Sequence, residues 1–431
     1  MWDFETDPEY QAKLDWADKF VREEVEPLDY VFVTPYDKSD TKMMDAVRPL
    51  QEKVKAQGLW ACHLEPEHGG QGYGQVKLAL LNEILGRSRF APSAFGCQAP
   101  DSGNAEILAK YGNAEQKAKF LQPLLDGEIS SCYSMTEPLA GADPTLFTTT
   151  AVRDGEGWVI NGEKWFSSNA RYASFFLVMV KTNTEIEAHR GMSMFIVPSD
   201  APGIETIRNV AIGGEPDEHG GHAYIRYNNV RVPLENLLGE EGAGFEVAQT
   251  RLGGGRIHHG MRTIAEVRKA FDLMTERAVS RTMRAGRLAD MQATQEKIAD
   301  SWIQIEQFRL LLLRTAWLID KYQDYRQVRK DIAAVKVVMP TVFHDVVQRA
   351  MQLHGALGIS NEMPFHEMMA SAQVMAIADG PTEVHKWTVA KQLLRDVEPG
   401  EPKFGSGHIP ALREAARKKL GLSIELEAAS L

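Results

Sequence analysis

The sequence predicts an α+β chain in three parts: an N-terminal α-helical domain (1–130), a middle β domain (131–236) and a C-terminal four-helix bundle (237–398). A charged tail (399–431) follows. Three observations predict this. Apolar residues recur at helical spacing through the first 130 positions, the period then shortens to β-rich runs separated by turn signals, and long helical patterns resume after Gly244.

In the first part, Leu14, Phe20 and Val21, then Met44, Val47 and Leu50, then the stretches 76–85 and 104–111 carry the helical period, separated by Gly and Pro clusters. One cluster, EPEHGGQGYG at 65–74, has the look of a phosphate loop. No β-branched strand precedes it and its glycines are mis-spaced, so it reads as an ordinary loop. In the middle part the runs TTTAVRD (148–154), WVING (158–162), FFLVMVKT (175–182) and SMFIVPS (193–199) are strand-like. The DGEG at 154–157 and the pair Asn161-Gly162 supply residues tolerant of positive φ for tight turns, so a meander or small barrel is expected. Helical patterns then run over 245–284, 291–322, 325–355 and roughly 372–397. Helices of about 30 residues are about 45 Å long, which requires side-by-side packing or a second subunit. Within the tail, a short amphipathic piece near 410–421 either docks on the body or stays free of it.

Composition narrows the function. The 431 residues are 44% apolar and 25% charged, enough for a large core. A formal charge of −11 with dispersed Lys and Arg argues against nucleic acid. No apolar run approaches twenty residues, so no membrane span is expected, and the start, MWDFETDPEYQ, lacks a secretory pattern, which makes a cytoplasmic location the expectation. Cys62, Cys97 and Cys132 lack CxxC spacing and read as reduced core thiols. No GxGxxG follows a strand, and no Walker loop or GxSxG elbow is present. The adjacent His258 and His259 point to different helix faces, and His219 and His222 are separated by a Gly-Gly, so a metal is not expected. Packing or substrate-side hydrogen bonding is expected for these and for His385.

Four segments carry more. YSMTEPLAGAD (133–143), NGEKWFSSN (161–169), QLHGALG (352–358) and IADGPTEVH (377–385), in this order, resemble the acyl-CoA dehydrogenase family over about residues 8–397. EHGGH (218–222), GRIHH (255–259) and the ADGPxEVH variant resemble the branch of family members ten and eleven and their bacterial relatives. The resemblance implies the α, β-barrel, four-helix-bundle fold and an FAD-dependent oxidoreductase of fatty-acid β-oxidation. Such an enzyme converts an acyl-CoA to a trans-2-enoyl-CoA and passes electrons to an electron-transfer flavoprotein. A homodimer or homotetramer is implied too, because the family completes its FAD site across subunits.

Alone, Asp379 before Gly380-Pro381 reads as a turn aspartate. The resemblance makes it the base that abstracts the α-proton, where most members carry glutamate. Aspartate is shorter by roughly 1.5 Å of reach, so backbone or substrate must sit closer. Ile377 and Ala378 are expected to exclude water and raise its pKa. By resemblance, the Asp379 N–H and a flavin ribityl hydroxyl hold the thioester oxygen, and Gly380 permits close approach. Arg256, read as opening a long helix where a cation is unhelpful, is assigned a positioning role near the thioester. The resemblance places flavin contacts at Tyr133, Met135 and the Thr136 hydroxyl, an aromatic wall at Trp165 and Phe166, and a hydroxyl at Ser168. It places contacts to the far end of FAD at Arg281, Gln292, Gln352 and Gly355.

Departures from the family pattern are Ala142 for a serine, Pro381 for a threonine, Glu383 for a glutamine, and an Arg281–Ala285 stretch without the adenine-facing aromatic. There Arg284 either stacks on or charges the FAD site in its place, or is an exposed helix arginine. Two alternatives stand beside the leading reading. One is an oxygen-using relative, of acyl-CoA oxidase or nitroalkane oxidase type. The other is a non-catalytic acyl-CoA-binding protein on the same scaffold. Chain length and branching of the acyl group are not fixed by the sequence.

Overall fold

The computed structural model describes residues 5–213, 219–397 and 408–422. The longer N-terminal helices are α1 (Pro8–Phe20), α2 (Thr41–Ala56), α3 (Gly74–Leu85) and α4 (Asp101–Tyr111). Asp7 and Asp40 cap α1 and α2 by accepting from Tyr10 and Met43 N–H groups, satisfying donors that a helix start leaves free. Leu14, Phe20, Val21, Met44, Val47 and Leu50 are buried together, as the periodicity predicts. Residues 65–74 form a loop around one 3₁₀ turn (Pro66–His68). A Cβ at Gly70 would lie 1.9 Å from the Leu64 carbonyl oxygen, so this glycine serves a backbone crossing.

The middle part holds β1 (Ser131–Ser134), β2 (Thr150–Asp154), β3 (Gly157–Ser168), β4 (Phe175–Lys181), β5 (Met192–Pro198), β6 (Ile204–Val210), β7 (His222–Pro233) and β8 (Leu237–Leu238). Their order is β6-β7-β3-β1-β4-β5-β8. β2 pairs with both β3 and β4, so β3, β1, β4 and β2 close a ring, a small barrel with wings. It is not a simple meander, because β1 and β2 each run parallel to β4. Both faces of β4 are covered: Phe176 and Val178 pack with Trp158 and Ile225, and Phe175 and Leu177 with Phe120 and Leu124. That is why this strand is continuously apolar where a one-sided strand would alternate.

The bundle consists of α5 (Gly244–Ser280), α6 (Gln292–Tyr322), α7 (Arg329–His354), α8 (Phe365–Ile377) and α9 (Thr382–Arg395). The single helix expected over 372–397 is in fact two, broken at residues 378–381. Ala378 is extended, Asp379 and Gly380 take positive φ, and Pro381 caps α9, none of which a continuous helix tolerates. Arg281 ends α5, and a two-residue hairpin of β9 (Thr282–Met283) and β10 (Gly286–Arg287) turns the chain into α6, so the pattern expected to run to 284 stops at 280. Asp320 of α6 accepts from the Gln75 and Val76 N–H groups at 2.6 and 2.9 Å, capping α3 and tying the N-terminal domain to the bundle. A last helix, α10 (His408–Leu420), buries no residue, and the 398/399 boundary lies outside the described residues. All three cysteines are buried and unpaired. No described helix is long and apolar enough to cross a membrane.

Candidate active site

The break between α8 and α9 presents Asp379 at φ +56°, a conformation that costs a non-glycine residue about 1–2 kcal/mol. Three side chains from three helices hold it there. Lys336, buried on α7, donates to the carbonyls of Met375 (2.7 Å) and Ala378 (2.8 Å), taking up acceptors that the end of α8 leaves free. Arg256 Nε donates to the Asp379 carbonyl at 2.8 Å, and His385 Nε2 lies 3.2 Å from the same oxygen. A Cβ at Gly380 would sit 3.0 Å from that imidazole, so glycine there fits the crowding as well as its φ of +105°. The Ala378 and Asp379 carbonyls are therefore engaged, whereas the Asp379 N–H makes no hydrogen bond among the described residues.

The carboxylate packs on α5. Its Oδ2 is 3.6 Å from His259 Nε2 and would be 3.2 Å from a Cβ at Gly255. Gly253 and Gly254 likewise make room for the Tyr325 ring and the Glu106 carboxylate. The glycine triplet thus lets α5 approach side chains that any larger residue would displace. His258, by contrast, turns to Gln75 on α3 at 3.2 Å, confirming that the two histidines use different faces.

Two expectations need correction. Arg256 does not open a helix: α5 begins at Gly244, so Arg256 lies more than three turns inside, where its charge serves the Asp379 loop. Nor is the Asp379 carboxyl raised. Burial pushes it up, but His259, Arg251, Arg256 and Lys336 together hold it below the ordinary carboxylate value. Ile377, expected to shield it, is 69% exposed.

The β-domain side is built by one register. Trp165 N donates to the Thr136 carbonyl (2.8 Å), and Lys164 Nζ donates to the Met135 carbonyl (2.8 Å) and to Glu137 (2.9 Å), both charged side chains being buried. Glu137 also accepts from the Thr148 and Thr149 N–H groups, so the NGEKW and MTEP segments brace each other. Trp165 stacks on Phe166 and Tyr224 with Arg208 over its ring, and Phe166 is held at φ +50° and 46% exposed. Ser168 Oγ bonds His222 Nδ1 at 2.7 Å. Arg251 joins this side to the base: its guanidinium lies 3.9 Å from the Tyr133 ring centre while its Nε donates to Asn104.

Three family descriptions match the chain in series: acyl-CoA dehydrogenase N-terminal domain over residues 7–128, middle domain over 132–229 and C-terminal domain over 242–394. The chain belongs to the acyl-CoA dehydrogenase family. It is 43% identical to a Mycobacterium tuberculosis protein named "Probable acyl-CoA dehydrogenase FadE2", over 80% of this chain and 84% of that one. It is 40% identical to acyl-CoA dehydrogenase family member 11 of Gallus gallus, over 88% of this chain but 49% of the relative. The chain thus spans about half the length of that relative. A solved Mycobacterium abscessus structure, described as that of "a putative acyl-CoA dehydrogenase", superposes with a TM-score of 0.84 at 36% identity, covering 91% of this chain and 99% of that one.

This acyl-CoA dehydrogenase is FAD-dependent, and its β-domain face fits a flavin. The Trp165 indole N–H is buried without a partner, the Thr136 hydroxyl makes no hydrogen bond among the described residues, and Phe166 offers an uncovered ring. Of the family's other positions, Pro381 lies in the Asp379 break itself and the others sit at exposed places. Ala142 is exposed on a loop. Arg281, Arg284 and Gln292 flank the α5–α6 hairpin, exposed, and the hydrogen bonds of Arg281 and Gln292 are local. Gln352 and Gly355 end α7 at the surface. Pro381 and Glu383 start α9, Glu383 pointing to solvent. Sequence reading missed Lys336, Arg251, Lys164 and Glu137. A lysine or glutamate within an otherwise apolar or β-rich run was the available signal for Lys336 and Lys164.

Proposed function

We propose that Asp379 removes the α-proton of a saturated acyl-CoA, giving a trans-2-enoyl-CoA, with electrons passed to an electron-transfer flavoprotein. One observation carries this reading: a carboxylate presented on a positive-φ hinge whose Ala378 and Asp379 carbonyls are engaged and whose own N–H makes no hydrogen bond among the described residues. That N–H is a donor for the thioester oxygen, and polarising this oxygen acidifies the neighbouring C–H. Flavin, when bound, accepts the β-hydrogen as hydride. The chain's residues do the rest. Arg256 and His385 fix the hinge from the Asp379 carbonyl, Lys336 fixes it from Ala378, and Gly380 allows the thioester to approach. The surrounding cations keep the carboxylate ionised and ready to accept a proton at neutral pH.

On the flavin side we assign Tyr133, Met135, Thr136, Trp165, Phe166 and Ser168 to the ring. Arg281, Gln292, Gln352 and Gly355, exposed on one subunit, meet the FAD of a neighbour in a homodimer or homotetramer. Exposed Trp302, Leu310 and Trp317 on α6 support such an assembly. Anaerobic titration with a panel of saturated acyl-CoAs tests the function. Bleaching of bound flavin is expected, and no bleaching at any chain length rejects it; in a separate aerobic assay without added acceptor, no peroxide is expected, and peroxide release identifies an oxygen-using enzyme.

A further inference from the structure

His259 stands apart from the residues assigned so far. It lies one turn after Gly255 on α5, so the same oxygen of Asp379, Oδ2, is met by the Gly255 Cα side and by the His259 ring. Both side chains are mostly shielded, with 23% of the imidazole and 17% of the carboxylate exposed. Among the described residues neither carboxylate oxygen of Asp379 accepts a hydrogen bond, and His259 is its one ion-pair partner. The groove left by the glycine admits the short aspartate and the imidazole closes its far wall. The base is one methylene shorter than glutamate, so its carboxylate plane must be set by something beyond chain length.

We propose that His259 is a positioning residue for the base: its Nε2 faces Asp379 Oδ2 across 3.6 Å, an electrostatic contact longer than a hydrogen bond, and holds that oxygen so that Oδ1 is the one turned toward the substrate α-carbon. This rests on the reading of Asp379 as base. An anchoring donor must be neutral, since a charged imidazolium would form an ion pair and draw the proton-accepting power out of the carboxylate. The surroundings enforce neutrality. Burial, with Arg262, Lys336 and Arg251 nearby, pushes the imidazole down to about 3 against the pull of Asp379. The groups facing this pair are Arg251, Arg256 and Arg262 on its own helix, Lys336 on α7, His385 on α9 and Tyr133 on β1. The anchoring donor also favours the ionised carboxylate, so its loss raises the pH at which Asp379 takes its proton.

The test has an activity arm and a spectroscopic arm on the holoenzyme. In anaerobic flavin reduction by the acyl-CoA that bleaches wild type fastest, His259→Phe is expected to slow reduction about 10–100-fold, the scale of a misplaced reacting group. It is also expected to move the acidic limb of the pH profile upward. His259→Gln, which keeps a donor, is expected to restore both. In ¹⁵N spectra of the histidine rings, His259 is expected to be neutral with the proton on Nε2 at pH 7, and Asp379→Asn is expected to shift that resonance. An unmoved acidic limb in His259→Phe, an imidazolium at pH 7, or a resonance blind to Asp379→Asn overturns the proposal. The base reading fails on a different result, unaltered reduction in Asp379→Asn, so the two can be told apart.

Discussion

Replacing Lys336 by methionine separates what holds the hinge from what holds the fold. The ammonium makes two hydrogen bonds to backbone carbonyls, each worth about 1.5–3 kcal/mol for a charged donor. Against them stands the burial of the charge, which pushes Lys336 from its ordinary 10.5 down to about 8, a penalty of about 3 kcal/mol. The two nearly offset, so Lys336→Met is expected to change stability by no more than about 3 kcal/mol, a shift of a few degrees in Tm. The hinge fares worse. With the Ala378 carbonyl released, the strained Asp379 backbone can relax, and a displacement of the carboxylate near 1 Å costs about 10²-fold in rate. Stopped-flow flavin reduction should therefore fall about 10–100-fold in a protein that still melts cooperatively and still binds FAD. The native lysine, with its lowered pKa, binds fewer protons than the unfolded chain between about pH 8 and 10.5. Wild-type stability thus gains a rising contribution across that window, which the methionine variant lacks. Wild-type reduction rates in Lys336→Met, or a melting loss far above the estimate, would refute this division of labour.

Gly255→Ala should stabilise α5 by up to about 1 kcal/mol through helix propensity yet slow flavin reduction, because the new methyl sits 3.2 Å from Asp379 Oδ2. Thermal melts and stopped-flow together check this opposite movement. Glu137→Gln breaks the buried pair with Lys164 and should cost about 3–5 kcal/mol while loosening the flavin, read as a lower Tm and FAD lost on gel filtration. Burial pushes the Glu137 carboxyl up, but Lys164 and the Thr148 N–H outweigh it and hold it below its ordinary 4.5. The stabilisation is therefore present above about pH 4.5 and lost below it, and the two proteins should converge in melting behaviour in acid.

Much of the fold was legible because its signals are local. The helical spacing of Leu14, Phe20 and Val21 and the β-rich run at 175–182 survive tertiary packing, since the core they face is the one their period implies. The ring closed by β2 was not legible in detail, because strand order depends on pairings between distant segments. At the site, the position of Asp379 followed from IADGP, but its electrostatics did not. The cations that lower it come from α5 and α7, more than forty residues away in sequence, and outweigh the apolar neighbours that sequence proximity suggested. The Pro and Gly of the DGP step were visible as turn formers, yet the long apolar-periodic pattern over 372–397 concealed the break. Arg256 was read as a helix-opening cation although the helical pattern from 245 already placed it inside, and α5 indeed starts twelve residues earlier, at Gly244.

The proton-abstracting role of residue 379 meets its most direct check in Asp379→Asn, a nearly isosteric change that keeps the hinge and removes the base. With flavin fully bound and acyl-CoA still binding, anaerobic reduction should fall by at least about 10³-fold. Flavin that bleaches at the wild-type rate in this variant would contradict the assignment.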